Sequence, residues 1–232
     1  RSAQQLTLQA PAKVNLTLEV LGKRPDGYHD LASVMQTISL ADTLTFGPAD
    51  SIIFTCDVPE LETPDNLVTR AARLLREETG VEAGALIHLV KRIPISAGLG
   101  GGSSDGAVAL RGLNALWGLD LGPEELLLLA SSLGSDVPFF LRGGTALVEG
   151  RGERLSKLPS TERLRLVLAA PGHNLTNKTA ALFRRLRSSD FADGRHTRSL
   201  VDIIRRGGRI GARDLFNTFE AVAFDQFSGL ED

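Results

Sequence analysis

Cysteine is almost absent. Cys56 is the single thiol among 232 residues, so the chain holds no internal disulfide and suits a reducing compartment. Four scattered histidines with that one cysteine are too few for a closed zinc cage. Long apolar runs are missing too. The longest leucine run is Leu126 to Leu129, against the roughly 20 residues of a spanning helix. The opening residues are polar and carry no apolar signal core, and Arg1 stands where an initiator Met would, so the sequence is expected to begin inside its gene product. Charge of one sign is not in excess: Lys and Arg number 26, Asp and Glu 28, for a net charge of −2. Composition therefore offers no broad basic surface for nucleic acid. These absences lead us to expect a cytoplasmic protein that binds neither nucleic acid nor membrane.

What is present is an ordinary globular composition, 42% hydrophobic and 23% charged, with length for one or two domains. Its most informative stretch is Pro94-Ile-Ser-Ala97-Gly98-Leu99-Gly100-Gly101-Gly102-Ser103-Ser104-Asp105. Four glycines in five residues run into the apolar pattern Ala107, Val108, Leu110, Leu113, which reads as a glycine-rich loop feeding a helix. Unpaired N–H groups and the positive dipole end converge there, which suits a phosphate. The loop is not a Walker A motif, because no Lys precedes the hydroxyls. Nor is it a dinucleotide fingerprint: the third glycine would be Ser103, and the acid about 20 residues on would follow a helix, not a strand. Ser103 and Ser104 suit helix N-caps.

Alternation predicts strands at residues 6–10, 14–20, 33–40, 42–46, 51–56, 85–91, 144–149 and 163–169. Amphipathic spacing predicts helices at 66–78 (closed by Gly80), 103–117, 123–133 (closed by Gly134), 178–186, 200–206 and 214–223. The mixture is α+β. A soft boundary near Leu155 divides an N-terminal domain, 1–155, from a C-terminal domain, 156–232.

Three further segments carry a resemblance: Pro11-Ala12-Lys13-Val14-Asn15-Leu16, then Asp26-Gly27-Tyr28-His29, and Gly134-Ser135-Asp136-Val137-Pro138-Phe139. With the glycine loop, in this order, they resemble the galactokinase/homoserine/mevalonate/phosphomevalonate (GHMP) kinase superfamily. Asp-Gly-Tyr-His beside Pro-Ala-Lys-x-Asn is similar, within it, to the family of 4-diphosphocytidyl-2-C-methyl-D-erythritol kinases. The resemblance runs from Ala10 to about Ala223. It implies ATP-dependent phosphorylation of the 2-hydroxyl of the cytidylated methylerythritol, a step of the non-mevalonate isoprenoid route. It also implies an N-terminal domain like the second domain of ribosomal protein S5, a ferredoxin-like C-terminal domain, and an active site in the cleft between them.

Role by role, the resemblance makes Asp136 the general base and Lys13 its cationic partner. Read without it, Asp136 is a turn or helix-cap residue and Lys13 an edge-strand charge. Asn15 is assigned to the acceptor, Tyr28 to stacking on the cytosine, and His29 to the polar edge of that base. Thr179 and Phe183 stand four apart on one helix face; Thr179 is placed at the substrate and Phe183 opposite Tyr28, or else in the core. ATP is assigned to Pro94, Ala97, Gly98, Leu99, Gly100, Gly101, Gly102, Ser103 and Ser104, with Asn66 at the adenine or simply as an N-cap. Mg²⁺ is expected with ATP, carried mainly by phosphates and water, with the Ser104 hydroxyl as a further candidate ligand. Two departures stand out. Gly106 replaces the usual Ala, a helix cost of up to about 1 kcal/mol. The chain also ends at Asp232 before any Ser-Gly-Ser-Gly-like third motif; Ser228-Gly229 is too early and too short. The second domain is thus expected to be truncated.

Overall fold

A computed structural model describes residues 5–169 and 178–226. The long strands β1 (Leu6–Lys23) and β2 (His29–Ala49) organise the chain. Two compact units form around them. The first gathers residues through Lys13, Thr37–Ile95 and Leu99–Gly143; the second gathers Val14–Gln36, Ser96–Gly98 and the chain from Gly144 on. Each long strand therefore serves both units, one half in each.

In the first unit, β3 (Ile52–Cys56) pairs parallel with β4 (Gly84–Val90), which pairs antiparallel with β2 from Thr43↔Val90 to Ala49↔Gly84. β1 follows β2 in the sheet. β4 shows why a strand forms: Ala85, Ile87 and Leu89 are buried, while Leu86 and His88 between them are exposed, a period of two that covers one face. Helices α1 (Leu67–Thr79), α2 (Gly101–Trp117), α3 (Pro123–Leu133) and α4 (Val137–Arg142) complete the unit. α1 buries Val68, Ala71, Ala72 and Leu75, the i, i+3, i+4, i+7 stripe of a core-facing helix. Asn66 accepts from Val68 N at its start, and Gly80, at φ 71°, closes its end. α2 lies against the sheet at Gly112, where a Cβ would stand 2.4 Å from the Phe46 ring.

In the second unit, β5 (Thr145–Gly150) joins β2 antiparallel and β6 (Arg154–Lys157) joins β5. β7 (Phe216–Asn217) lies parallel to β1. α6 (Arg195–Arg205) packs Leu200, Val201 and Ile204 on Leu16, Val34 and Leu158. Val20, Leu182 and Phe219 form a second cluster that involves α5 (Lys178–Arg185) and α7 (Phe219–Gln226).

Several expectations need correction. The paired readings 6–10 with 14–20, and 33–40 with 42–46, are single continuous strands; Lys13 and Ala41 interrupt an alternation without ending the strand. Residues 163–169 are not a strand: no ladder pairs them among the described residues, and Val167 is 97% exposed, so alternation found no neighbour to pair with. The tight turn at Gly150 leads into β6. The helix expected over 214–223 begins at Phe219, after a 3-10 turn and β7. Ser103 and Ser104 are not N-caps, because α2 starts at Gly101 with Gly100 as its cap, at φ 72°.

Candidate active site

The glycine-rich turn is built from backbone that other residues resist. Gly98 and Gly100 have φ of 78° and 72°, the left-handed region where a side chain is strained. At Gly100 space is also lacking: a Cβ would meet the Phe140 ring at 2.6 Å and Lys13 Cγ at 3.1 Å. At Gly101 it would meet Ile93 Cγ2 at 3.0 Å. The chain thus enters α2 with its first N–H groups beyond the reach of intrahelical carbonyls. Ser104 is buried, and its hydroxyl donates to the Pro11 carbonyl at 2.7 Å, which ties the helix start to β1.

Lys13 meets this turn from β1. Its N–H donates to the Leu99 carbonyl at 2.9 Å, and its ammonium stands 4.0 Å from Asp136 Oδ2. Burial pulls the Lys13 ammonium below its usual range, and the Asp136 charge draws it part of the way back. Asp136 occupies the N-cap position of α4, but its side chain makes no capping bond. The carboxylate is therefore not spent on the helix and is partly open to solvent. The structure brings together the two residues that the resemblance paired, at 123 positions' separation.

Asn66 is committed locally: its Oδ1 accepts from Val68 N at 2.9 Å and its Nδ2 donates to the Leu61 carbonyl at 3.0 Å.

In the second unit, Asn15 Nδ2 donates to Ser33 Oγ at 2.7 Å, and Ser33 donates on to the Thr17 carbonyl at 2.6 Å. Tyr28 is 58% exposed, with the Arg151 guanidinium 4.7 Å from its ring centroid, a cation–π contact. His29 stacks on Phe183 with centroids 4.8 Å apart, and Phe183 meets Phe219 edge-on. Burial, then the charge of Lys23, hold the His29 imidazole below its usual range, so the ring is neutral at pH 7. Phe183 thus has a core neighbour and an imidazole at once. Thr179 falls in α5, with its side chain outside the described part, as Ser228-Gly229 also are.

Sequence reasoning missed one group. Lys91, just past β4, donates its ammonium to Asp42 of β2 and to Asp105 of α2, the latter at 2.8 Å. Asp42 Oδ1 accepts from the backbone N–H groups of Arg92 and Ile93. A buried charge needs a partner, and Asp42, a lone charge within the strand stretch Ile38-Ser-Leu-Ala-Asp-Thr-Leu, was the available signal.

Comparison with known proteins fits this arrangement. Residues 66–144 match the GHMP kinases N terminal domain. A 4-diphosphocytidyl-2-C-methyl-D-erythritol kinase of Dehalococcoides mccartyi is 44% identical over 226 residues, covering 97% of this chain and 79% of that one. The enzyme of the same name from Pelotomaculum thermopropionicum is 47% identical over 226 residues, covering 96% and 78%. A crystal structure of 4-(cytidine 5'-diphospho)-2C-methyl-D-erythritol kinase superposes with a TM-score of 0.79 at 37% identity, over 97% of this chain and 80% of that one. Homoserine kinase from Cytophaga hutchinsonii, at 20% identity and a TM-score of 0.63 over 89% and 69% of the two chains, shares the fold. With a glycine-rich turn at a helix start, a lysine–aspartate pair beside it, and relatives of one name along nearly its whole length, the chain belongs to the 4-diphosphocytidyl-2-C-methyl-D-erythritol kinase family of GHMP kinases.

Proposed function

We propose that this chain transfers the γ-phosphoryl group of ATP to the 2-hydroxyl of 4-diphosphocytidyl-2-C-methyl-D-erythritol. The observation that carries the reading is the Lys13–Asp136 pair at the mouth of the glycine-rich turn, 4.0 Å apart and free of any helix-capping bond at Asp136. Asp136 accepts the proton of the tertiary alcohol as its oxygen attacks the γ-phosphorus. The bond to the bridging oxygen breaks, and ADP leaves with its electron pair. Lys13 stands beside this carboxylate and offsets the charge of the transferring group.

The turn from Pro94 to Ser104 binds the phosphates through the backbone amides that open α2. Asn66 serves the nucleotide by holding the start of α1, with the adenine near it. Among the described residues, no group of three or more carboxylate, imidazole or thiolate side chains gathers to hold a cation. Mg²⁺ would therefore ride on the ATP phosphates, where it lowers the charge that the attacking oxygen meets.

On the acceptor side, Asn15 and Thr179 hold the methylerythritol end. Tyr28 stacks on the cytosine, Phe183 supports its other face, and neutral His29 hydrogen-bonds the base edge. The chain acts as a cytoplasmic monomer or weak homodimer; no described helix is long and apolar enough to cross a membrane.

The test is a competition assay with ATP and three acceptors: the cytidylated methylerythritol, mevalonate and homoserine. Phosphate transfer to the first alone is expected. Preferential phosphorylation of either of the others would overturn the substrate assignment.

A further inference from the structure

The glycine-rich turn hangs between two arms. One is the chain at 91–93 leaving β4; the other is the start of α2. Both arms end on the same buried ions. Asp42 is fully buried; with one oxygen it accepts the N–H groups of Arg92 and Ile93, and with the other it accepts from Lys91. Lys91 reaches across to Asp105, one turn into α2. The Lys91 backbone is held as well, its N–H donating to Asp57 Oδ1 at 2.8 Å. The Lys91 ammonium would stand 3.3 Å from a Cβ at Gly101, so the ions sit directly under the residue that opens the helix. The group is unusual in its charge. Two carboxylates share one ammonium, and Asp105 Oδ1 is buried with no hydrogen-bond partner. Burying such groups costs free energy that their pairing returns only in part. What they span is the separation of the two arms.

We propose that Lys91, Asp42 and Asp105 are positioning residues of the nucleotide site: a buried hydrogen-bonded triad that sets the spacing between the two arms of the glycine-rich turn, and thereby the aim of its amides at the ATP phosphates. The proposal rests on the turn being the ATP site. Positioning of this kind is sensitive, because a misplacement of about 1 Å costs up to about 100-fold in rate. Asp42 and Asp105 both accept from the one Lys91 ammonium, so their carboxyl groups are neighbours. An asparagine at 105 keeps an acceptor for Lys91 and brings an N–H donor that leucine lacks.

The experiment measures KM for ATP, KM for the acceptor and kcat in Lys91→Met, Asp105→Leu and Asp105→Asn, each checked for folding by circular dichroism. Lys91→Met and Asp105→Leu are expected to raise the ATP KM by about tenfold or more, with the acceptor KM changed by less than about twofold. Asp105→Asn should recover most of what Asp105→Leu loses. Equal rises in both KM values, an unchanged ATP KM in a folded Lys91→Met, or an Asp105→Asn as damaged as Asp105→Leu would overturn the proposal. If Lys91→Met does not fold, hydrogen exchange in Asp105→Leu decides. Exchange should accelerate at amides 97–103 and not in α1; uniform acceleration, or none, counts against the triad. Gly101→Val separates the two readings. Unchanged nucleotide affinity in that variant removes the ATP assignment itself, whereas loss of affinity there beside a silent Lys91→Met removes the triad alone.

Discussion

Lys13 Nζ and Asp136 Oδ2 stand 4.0 Å apart, with the lysine side chain 9% exposed and the aspartate 35%. That distance is an ion pair but not a short hydrogen bond. The lysine thus stands beside the carboxylate without a short bond to its oxygens.

Asp136→Asn keeps the shape and removes the basic oxygen. We expect kcat to fall by about 100- to 10,000-fold, with the ATP KM within about twofold of the parent. Steady-state kinetics read both. Near-normal turnover would take Asp136 out of the base role.

Tyr28 is exposed with Arg151 on its ring, so little of the fold depends on it. Tyr28→Ala should raise the acceptor KM by about tenfold, since stacking on a base is worth roughly 1–3 kcal/mol. The ATP KM should hold and the melting temperature should barely move. A parallel rise in both KM values would contradict cytosine stacking.

Gly112 tests packing alone. A Cβ there would overlap the Phe46 ring, 2.4 Å away and fully buried. Despite the better helix propensity of alanine, Gly112→Ala should destabilise by about 1–3 kcal/mol, the range for overpacked cores. Chemical denaturation measures this, and a stability gain would show that α2 can shift off the sheet.

Asp105 gives a pH dependence. Burial, only partly offset by Lys91 and reinforced by Asp42, pushes its carboxyl from an ordinary 3.8 up to about 7. The folded chain therefore keeps a proton there that the unfolded chain releases. Its contribution to stability is full below the unfolded value and is lost as pH rises through about 7. Thermal melts from pH 5 to pH 8 should show Asp105→Asn gaining on the parent as pH rises. A constant difference across that range would mean that Asp105 stays ionised.

Much of this protein was legible without coordinates, and the reasons are local. The helix at 66–78 announced itself through a cap, an apolar stripe and a closing glycine, all within one segment. The glycine-rich turn did the same, because positive-φ glycines at a helix start involve only adjacent backbone. Motifs in order along the chain carried the family. The segment at 163–169 shows the opposite case: alternation reports a wish to be half-buried, not the presence of a neighbouring strand. Asp136 is another, since a carboxylate before Val-Pro reads as a cap until a distant lysine stands beside it.

The sequence by itself determined most of the element types, the glycine-rich turn at a helix start and, through the family's motifs, the expectation that Lys13 and Asp136 pair. Tertiary structure alone decided that Asp136 spends nothing on its helix, that Phe183 stacks on His29, and that Lys91, Asp42 and Asp105 meet under Gly101. The physical reason is range. Propensity, capping and turn chemistry act over a few residues, whereas burial and charge pairing join residues dozens of positions apart and exist only once the chain has folded back on itself.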